Sequence, residues 1–214
     1  MKLRLKVLAL VAAFMLPTAA LGDEGPTNTG PLTLSETQFV QQVQQDLKRR
    51  FPTVGDAEKA GFVRYTAPDD TGAISYANKQ WQSDESHPSQ LWYDNNGNLM
   101  GADFSVLRPN NEPRPKLWGV DPGRWVELNG HVHYVTKDAS GAMKYDQWVW
   151  NRDFVAAGGS LADPSADTLV KIGRVQNPSD VTTIFEFPTI WDLTVWVKPN
   201  PYGPFAWENP DSKP

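Results

Sequence analysis

The chain has 214 residues, with 20 Lys or Arg, 25 Asp or Glu, and no cysteine. The lack of cysteine excludes a disulfide scaffold, a thiolate zinc site, an iron–sulfur cluster and a cysteine nucleophile. Hydrophobic residues make up 40% of the chain. That share is ordinary for a globular domain and excludes a long disordered chain.

Residues 1–22 have the three parts of a secretory signal peptide. Lys2, Arg4 and Lys6 form a positive start, residues 7–16 are apolar, and residues 20–22 form a small-x-small cleavage site. Cleavage would remove three positive charges and no negative one, so the net charge would change from −5 to −8. We therefore expect a secreted protein, periplasmic or extracellular, without a membrane span. Its acidity argues against nucleic acid as a partner, because phosphate binding needs basic residues.

Helical signals follow a flexible leader at residues 23–32. A capping box of Thr33 with Glu36, or of Ser35 with Gln38, starts a helix whose apolar stripe has the spacing i, i+4, i+8. A short second helix is predicted over residues 53–60, with Gly61 as its left-handed C-cap.

After residue 61 the pattern changes to strands and turns. Short β-rich runs alternate with Asp- and Gly-containing turns at residues 69–72 and 94–97. The tail, residues 199–214, is rich in proline and is predicted to be extended. The predicted strands are residues 62–66, 73–76, 91–93, 99–107, 181–187 and 190–197.

The chain matches itself when it is shifted by 69 positions. Eight of the 21 residues from 61 to 81 are identical to their counterparts, where chance would give about one. Most of the shared residues are Gly, Tyr, Trp and Asp, which have specific positions in turns and cores. The identical pairs are Gly61/Gly130, Val63/Val132, Tyr65/Tyr134, Asp69/Asp138, Gly72/Gly141, Ala73/Ala142, Tyr76/Tyr145 and Trp81/Trp150.

This repeat predicts an α+β fold. Residues 33–198 would form one globular domain with an N-terminal helix and two helix–strand–strand units, at about 53–81 and 122–150, on antiparallel sheet. Since Gly130 matches Gly61, we expect a helix over residues 121–129 rather than a hairpin at Asn129–Gly130. The alternative is an all-β barrel with one helix.

The clearest local motif is His131-Val132-His133. Two histidines at i and i+2 of a strand share a face and can chelate a divalent metal ion. The repeat assigns Val132 and Tyr134 to the core, so the histidines are predicted to point outward. A third ligand would come from elsewhere, for example His87, Asp103, Asp146 or Asp153.

Other candidate ligand-binding residues are aromatic or lie in loops. His87 occupies a polar loop beside acidic residues, where it is a candidate general base or a solvated side chain. Arg64 takes the position in the first unit that His133 takes in the second. Trp92 and Trp148 belong to a set of nine tryptophans, which either pack the core or offer stacking surfaces.

These observations support three hypotheses. The first is a secreted, non-enzymatic binding or accessory domain without a cofactor, whose partner is a small molecule, a glycan or an envelope protein. The alternative is a small metal-binding protein or metal-dependent hydrolase that uses His131 and His133. The third is a structural envelope protein. The sequence contains no Gly-x-Ser-x-Gly elbow, P-loop or dinucleotide fingerprint.

Overall fold

The structure, a computed structural model, describes residues 30–81 and 83–212. The predicted signal peptide and most of the predicted leader lie outside the described residues. The helices are α1 (Leu34–Arg50), α2 (Val54–Lys59), α3 (Asn151–Ala156) and α4 (Ala166–Lys171). The strands are β1 (Val63–Arg64), β2 (Ile74–Ala77), β3 (Gln90–Tyr93), β4 (Leu99–Leu107), β5 (Val126–Leu128), β6 (His131–Lys137), β7 (Met143–Trp150), β8 (Val181–Phe187) and β9 (Ile190–Trp196).

The strands form two antiparallel sheets, which confirms the α+β class. The large sheet has the order β1-β2-β3-β4-β9-β5, and the small sheet has the order β7-β6-β8. Within the described ranges neither sheet closes into a barrel. Residues 129 and 130 connect β5 of the large sheet to β6 of the small one, and residues 188 and 189 connect β8 back to β9, so two short chain segments join the sheets.

Helix α1 begins as its sequence predicts. The Thr33 hydroxyl accepts a hydrogen bond from the backbone N–H of Glu36, and the Glu36 carboxylate accepts one from the backbone N–H of Thr33. Phe39, Val43 and Leu47 are buried against the large sheet. The apolar stripe of α1 therefore covers one face of that sheet, as an amphipathic helix should.

Glu36 has a second role, because it forms a buried ion pair with Arg124. The Nε of Arg124 lies 2.9 Å from a carboxylate oxygen of Glu36, and both side chains are almost fully buried. This charge-assisted hydrogen bond joins the start of α1 to the turn before β5. Burial raises the pKa of Glu36, but the hydrogen bonds from Arg124 and from the backbone of Thr33 and Asp121 outweigh burial and lower it overall.

The two halves of the sequence repeat share the same turn. Asp69 accepts hydrogen bonds from the backbone N–H groups of residues 71 and 73, and Asp138 accepts them from residues 140 and 142. Gly72 and Gly141 have φ values of 76° and 85°, which only glycine adopts without strain. The strand–turn–strand sequence therefore produces one turn geometry at both places.

The predicted helix over residues 121–129 is wrong. Asp121 does start a helical turn, with its carboxylate accepting from the N–H of Gly123, but the turn is a 3₁₀ segment that ends at Arg124. Residues 126–128 become β5, which pairs with β9. The available edge of β9 satisfies the backbone of this segment, and that tertiary pairing overrides the local helix signal.

The two matched tyrosines, Tyr65 and Tyr134, lie in different surroundings, whereas two copies of one folded unit would place them alike. Tyr65 packs with Phe185 and Phe187 between the two sheets. Tyr134 packs with Phe154 and Leu169 of α3 and α4. The shared sequence therefore does not imply shared packing.

Gly130 is needed for close packing rather than for a helix cap, and this can be tested. A Cβ at residue 130 would lie 2.5 Å from the Nδ2 of Asn151 and 3.0 Å from the Oγ1 of Thr189. We expect Gly130→Ala to lower the free energy of unfolding by about 1–3 kcal/mol in urea titrations.

Gly55→Ala is the matched control. The nearest atom to a Cβ there is 3.8 Å away, and alanine is preferred to glycine within a helix. This control should be as stable as the wild type or more stable. Wild-type stability in Gly130→Ala would contradict the close packing at residue 130.

Candidate functional site

A cavity of about 690 Å³ lies between the two sheets. The large sheet contributes residues from β2, β3, β4 and β9, and the small sheet contributes His131, His133 and Phe187. Residues 207–209 of the C-terminal segment line the remaining side. The face of the large sheet toward this cavity is the one that α1 does not cover.

The alternation of strands β4 and β9 puts polar side chains on that face. Ala102 and Phe104 of β4 belong to the core under α1, whereas Asp103 lines the cavity. On β9, Leu193 belongs to that core and Asp192 lines the cavity. Successive residues of a strand point to opposite faces, so one acidic residue in each apolar strand becomes part of the cavity wall.

The register of β4 and β9 brings the two carboxyl groups together. Asp103 is opposite Thr194, and Ser105 is opposite Asp192. The two aspartates are therefore diagonal neighbours on one face of the sheet. Their side chains are hydrogen-bonded to each other, and each is less than 5% exposed.

Both carboxyl groups of this pair hold their protons to higher pH than an ordinary aspartate does. Burial raises the pKa of Asp192 to about 7, against hydrogen bonds from Ser105 and Asp103 that lower it. Burial also raises the pKa of Asp103 well above its ordinary value, and the negative charge of Asp192 raises it further. Asp192 is therefore the member that ionises first, and a protonated Asp103 donates a hydrogen bond to its carboxylate.

Neighbouring hydroxyl groups complete the network around the pair. The Oγ1 of Thr194 donates to Asp103 at 3.1 Å, and the Oγ of Ser105 donates to Asp192 at 3.0 Å. The hydroxyl of Ser89 lies 2.6 Å from that of Ser105. An interaction with the Trp92 side chain lowers the pKa of Asp103. None of the described residues that line the cavity is Lys or Arg, so no fixed cation neutralises the pair.

The opposite wall carries a hydrogen-bonded pair of histidines. The Nε2 atoms of His131 and His133 are 2.8 Å apart, and the Nδ1 of His131 lies 2.7 Å from the carbonyl oxygen of Asn129. Since a carbonyl only accepts, the Nδ1 of His131 carries a proton. In the neutral pair the Nε2 of His133 therefore donates to the Nε2 of His131.

His133 is buried and His131 is partly buried, and the prediction that they point outward is wrong. Burial lowers the pKa of His131, and burial together with the charge of His131 lowers the pKa of His133 to about 3. The reason is that both faces of β6 are covered. Val132 and Tyr134 lie under α3 and α4, while the histidines pack on Tyr65, Phe185 and Phe187.

Within the described residues, the fold supplies no third metal ligand to His131 and His133. Among residues 30–81 and 83–212, no group of three or more His, Cys, Asp or Glu side chains could hold a metal ion. The candidates proposed from the sequence, His87, Asp103, Asp146 and Asp153, therefore form no such set with the histidines.

The remaining sequence candidates divide between the cavity and the surface. Trp92 lines the cavity. Trp148 is 42% exposed and packs on Trp150 and His131 outside the cavity lining. The guanidinium of Arg64 lies over the ring of Tyr145 at 4.1 Å.

His87 lies in an exposed loop with Asp84 and Ser86. The Nδ1 of His87 is 2.8 Å from a carboxylate oxygen of Asp84 and 3.0 Å from the hydroxyl of Ser86. In a catalytic triad the acid and the nucleophile use different ring nitrogens. Here both approach the same nitrogen, so the three residues form a loop-stabilising cluster.

Sequence reasoning missed the central feature of the cavity. It considered Asp103 only as a possible third metal ligand, and it did not consider Asp192. The sequence signal that could have revealed the pair is a single acidic residue inside each of two strongly apolar strands. Such a residue is notable because a buried charge must be neutralised or serve a function.

Comparisons with known proteins found no relative of this chain. No protein-family model matches the chain, no curated protein matches it significantly, and no solved structure does. In the described part of the chain, no helix has both the length and the apolarity that a membrane span requires.

The raised pKa of Asp192 predicts how an amide variant changes the pH dependence of stability. The folded state holds a proton on Asp192 up to about pH 7, whereas an unfolded aspartate loses it near pH 4. Ionisation of Asp192 therefore destabilises the wild type as the pH rises through this window. The free energy of unfolding of Asp192→Asn, taken relative to that of the wild type, should therefore increase by roughly 2–4 kcal/mol from pH 4 to pH 8.

Urea unfolding at pH 4 and pH 8 measures this difference. The histidine contribution is present in both proteins and cancels in the comparison. The exposed Asp163 gives a matched control, Asp163→Asn, which should show the same pH dependence as the wild type. A constant difference between Asp192→Asn and the wild type would show that folding does not raise the pKa of Asp192.

Proposed function

We propose that this protein is a non-enzymatic binding protein whose cavity holds a small polar organic molecule. The observation that carries the proposal is the buried Asp103–Asp192 pair on one wall of a cavity of about 690 Å³. That volume is within the range of sites for small ligands and cofactors, which combine apolar walls with a few convergent polar groups. Here Trp92, Trp196 and Trp207 supply the apolar surface.

The energetic cost of the pair supports a role in binding. Two carboxyl groups buried without a cation cost several kcal/mol, and an apolar pair of similar size would cost nothing comparable. Strongly shifted pKa values in a cleft are typical of functional sites. The core under α1 already stabilises the large sheet, so the polar face is free to serve a ligand.

The proposal also includes the cellular location. The signal peptide predicted over residues 1–22 would direct the protein out of the cytoplasm, where the cavity would meet periplasmic or extracellular solutes. A small molecule or a short glycan fits the cavity better than a folded envelope protein does, because the carboxyl pair is nearly inaccessible to a large partner.

Ligand binding can be tested with a wall variant and a matched surface variant. A library of sugars, amino acids, nucleosides and amines is screened by thermal shift and tryptophan fluorescence. Trp207 is 38% exposed and lines the cavity, whereas Tyr202 is 42% exposed in the same segment and lies outside the cavity lining. Compounds that bind the wild type should bind Trp207→Ala at least about fivefold more weakly, through the loss of stacking.

Tyr202→Ala should bind those compounds as the wild type does. Equal binding by Trp207→Ala and the wild type would place the ligand outside this cavity. A library without a single binding compound would contradict the proposed function.

A second candidate function is metal binding at His131 and His133. It is favoured by the convergence of the two Nε2 atoms, and it lacks a third protein ligand. Two imidazoles alone bind divalent ions weakly, since metal sites in proteins normally have three or four protein ligands.

We therefore expect the purified protein to contain far less than one metal ion per chain. We also expect Zn²⁺, Cu²⁺ and Ni²⁺ to leave its melting temperature unchanged. Stoichiometric metal, together with a thermal shift that disappears when His131 and His133 are both replaced by Ala, would instead establish the metal-binding function.

A further inference from the structure

The charged groups around the cavity are of one sign. Asp69 and Asp70 from the β1–β2 turn, Glu208 from the C-terminal segment, and the pair Asp103 and Asp192 all line it. None of its described lining residues is Lys or Arg. The potential inside a cleft lined by one sign of charge attracts ligands of the opposite sign.

The other titratable groups that face the pair are neutral near pH 7. His131 and His133 have lowered pKa values because they are buried, and burial raises the pKa of Tyr65 above its ordinary range. The histidines therefore offer a hydrogen-bonded, uncharged wall. They do not supply the positive charge that an anionic ligand would need.

Aromatic rings form a large share of the remaining surface. Tyr65, Trp92, Phe187, Trp196 and Trp207 line the cavity. The face of an aromatic ring is the negative end of its quadrupole, and it attracts ammonium groups most strongly where water is excluded. The carboxylates and the aromatic rings that line this cavity both favour a positively charged ligand.

We propose that the cavity selects an organic cation, an amine or a quaternary ammonium compound. Its charge would lie against the Asp103–Asp192 pair, and its apolar part would lie on the tryptophan rings. This inference rests on the proposed function and specifies its ligand class. A neutral polyol could use the same hydrogen-bonding groups, but it would gain nothing from the uncompensated charge.

The two carboxyl groups would have different roles in this complex. Asp192 is the member that ionises, with a pKa of about 7, so it supplies the charge, and Asp103 keeps its proton as a donor to it. Below that pH, a bound cation would release the Asp192 proton to solvent. Affinity for a cation should therefore increase as the pH rises from 5.5 to 8.5, while affinity for a neutral compound should not.

The test uses pairs of compounds that differ in charge but little in shape. Glucosamine is compared with glucose, and choline with 3,3-dimethylbutan-1-ol, by isothermal titration calorimetry of the intact protein at pH 7. At this pH most glucosamine is protonated, and choline carries its charge at any pH, so the pH series from 5.5 to 8.5 uses choline. The cationic member of at least one pair should bind at least about tenfold more tightly than its neutral partner.

Asp192→Asn separates charge recognition from general damage to the cavity. It should weaken binding of the cation at least about tenfold, abolish the pH dependence, and so remove the preference for the cation over its neutral partner. Asp163→Asn, which alters an exposed carboxylate away from the cavity, should bind both compounds like the wild type. Urea unfolding of Asp192→Asn confirms that the variant is folded.

The outcomes distinguish this inference from the function on which it rests. Equal binding within each pair, or tighter binding of the neutral compound, overturns the cation inference and leaves the cavity as a binding site. Cation binding that Asp192→Asn does not weaken also overturns it. Absence of binding by all four probes overturns the inference, whereas the proposed function fails only if the wider library also contains no binding compound.

Discussion

The pairing of β4 with β9 is the constraint on which the rest of the structure depends. Seven residues of each strand pair in the centre of the large sheet, and β9 also carries β5 on its other side. This register fixes which side chains face α1 and which face the cavity. A shift by one residue would turn Asp103 and Asp192 into the core under α1 and would bring apolar side chains into the cavity.

The two faces of the large sheet have different character, one forming the apolar core and the other lining the proposed binding cavity. On one face, aliphatic and aromatic side chains pack under α1 in the largest apolar cluster of the described residues. On the other face, a network of hydroxyl and carboxyl groups is buried, and none of the described residues that line the cavity there is Lys or Arg. Burial of the first face can offset the cost of the second, because apolar burial contributes about 25 cal/mol per Å².

Local sequence signals predicted local structure correctly. The capping box of Thr33 and Glu36, the left-handed Gly61 after α2 and the two Asp-Gly turns depend on residues within five positions of each other. The segment over residues 121–129 could not be predicted in this way, because its partner strand β9 lies some 60 residues later in the chain. The carboxyl pair was equally hidden, since 25 acidic residues offer many possible pairs and sequence alone gives no distances.

The sequence repeat explains why the surroundings of His131 and His133 were predicted wrongly. Its two copies form the same turn, because turn geometry depends on Asp and Gly at fixed spacing. The environment of the flanking strands depends instead on the sheet that each strand joins. Arg64 lies in an edge strand and stacks on Tyr145, while His133 occupies the matching position in the central strand of the small sheet. A central strand covered on both faces excludes water from the imidazole, so the same sequence position holds a partly exposed arginine in one copy and an uncharged cavity wall in the other.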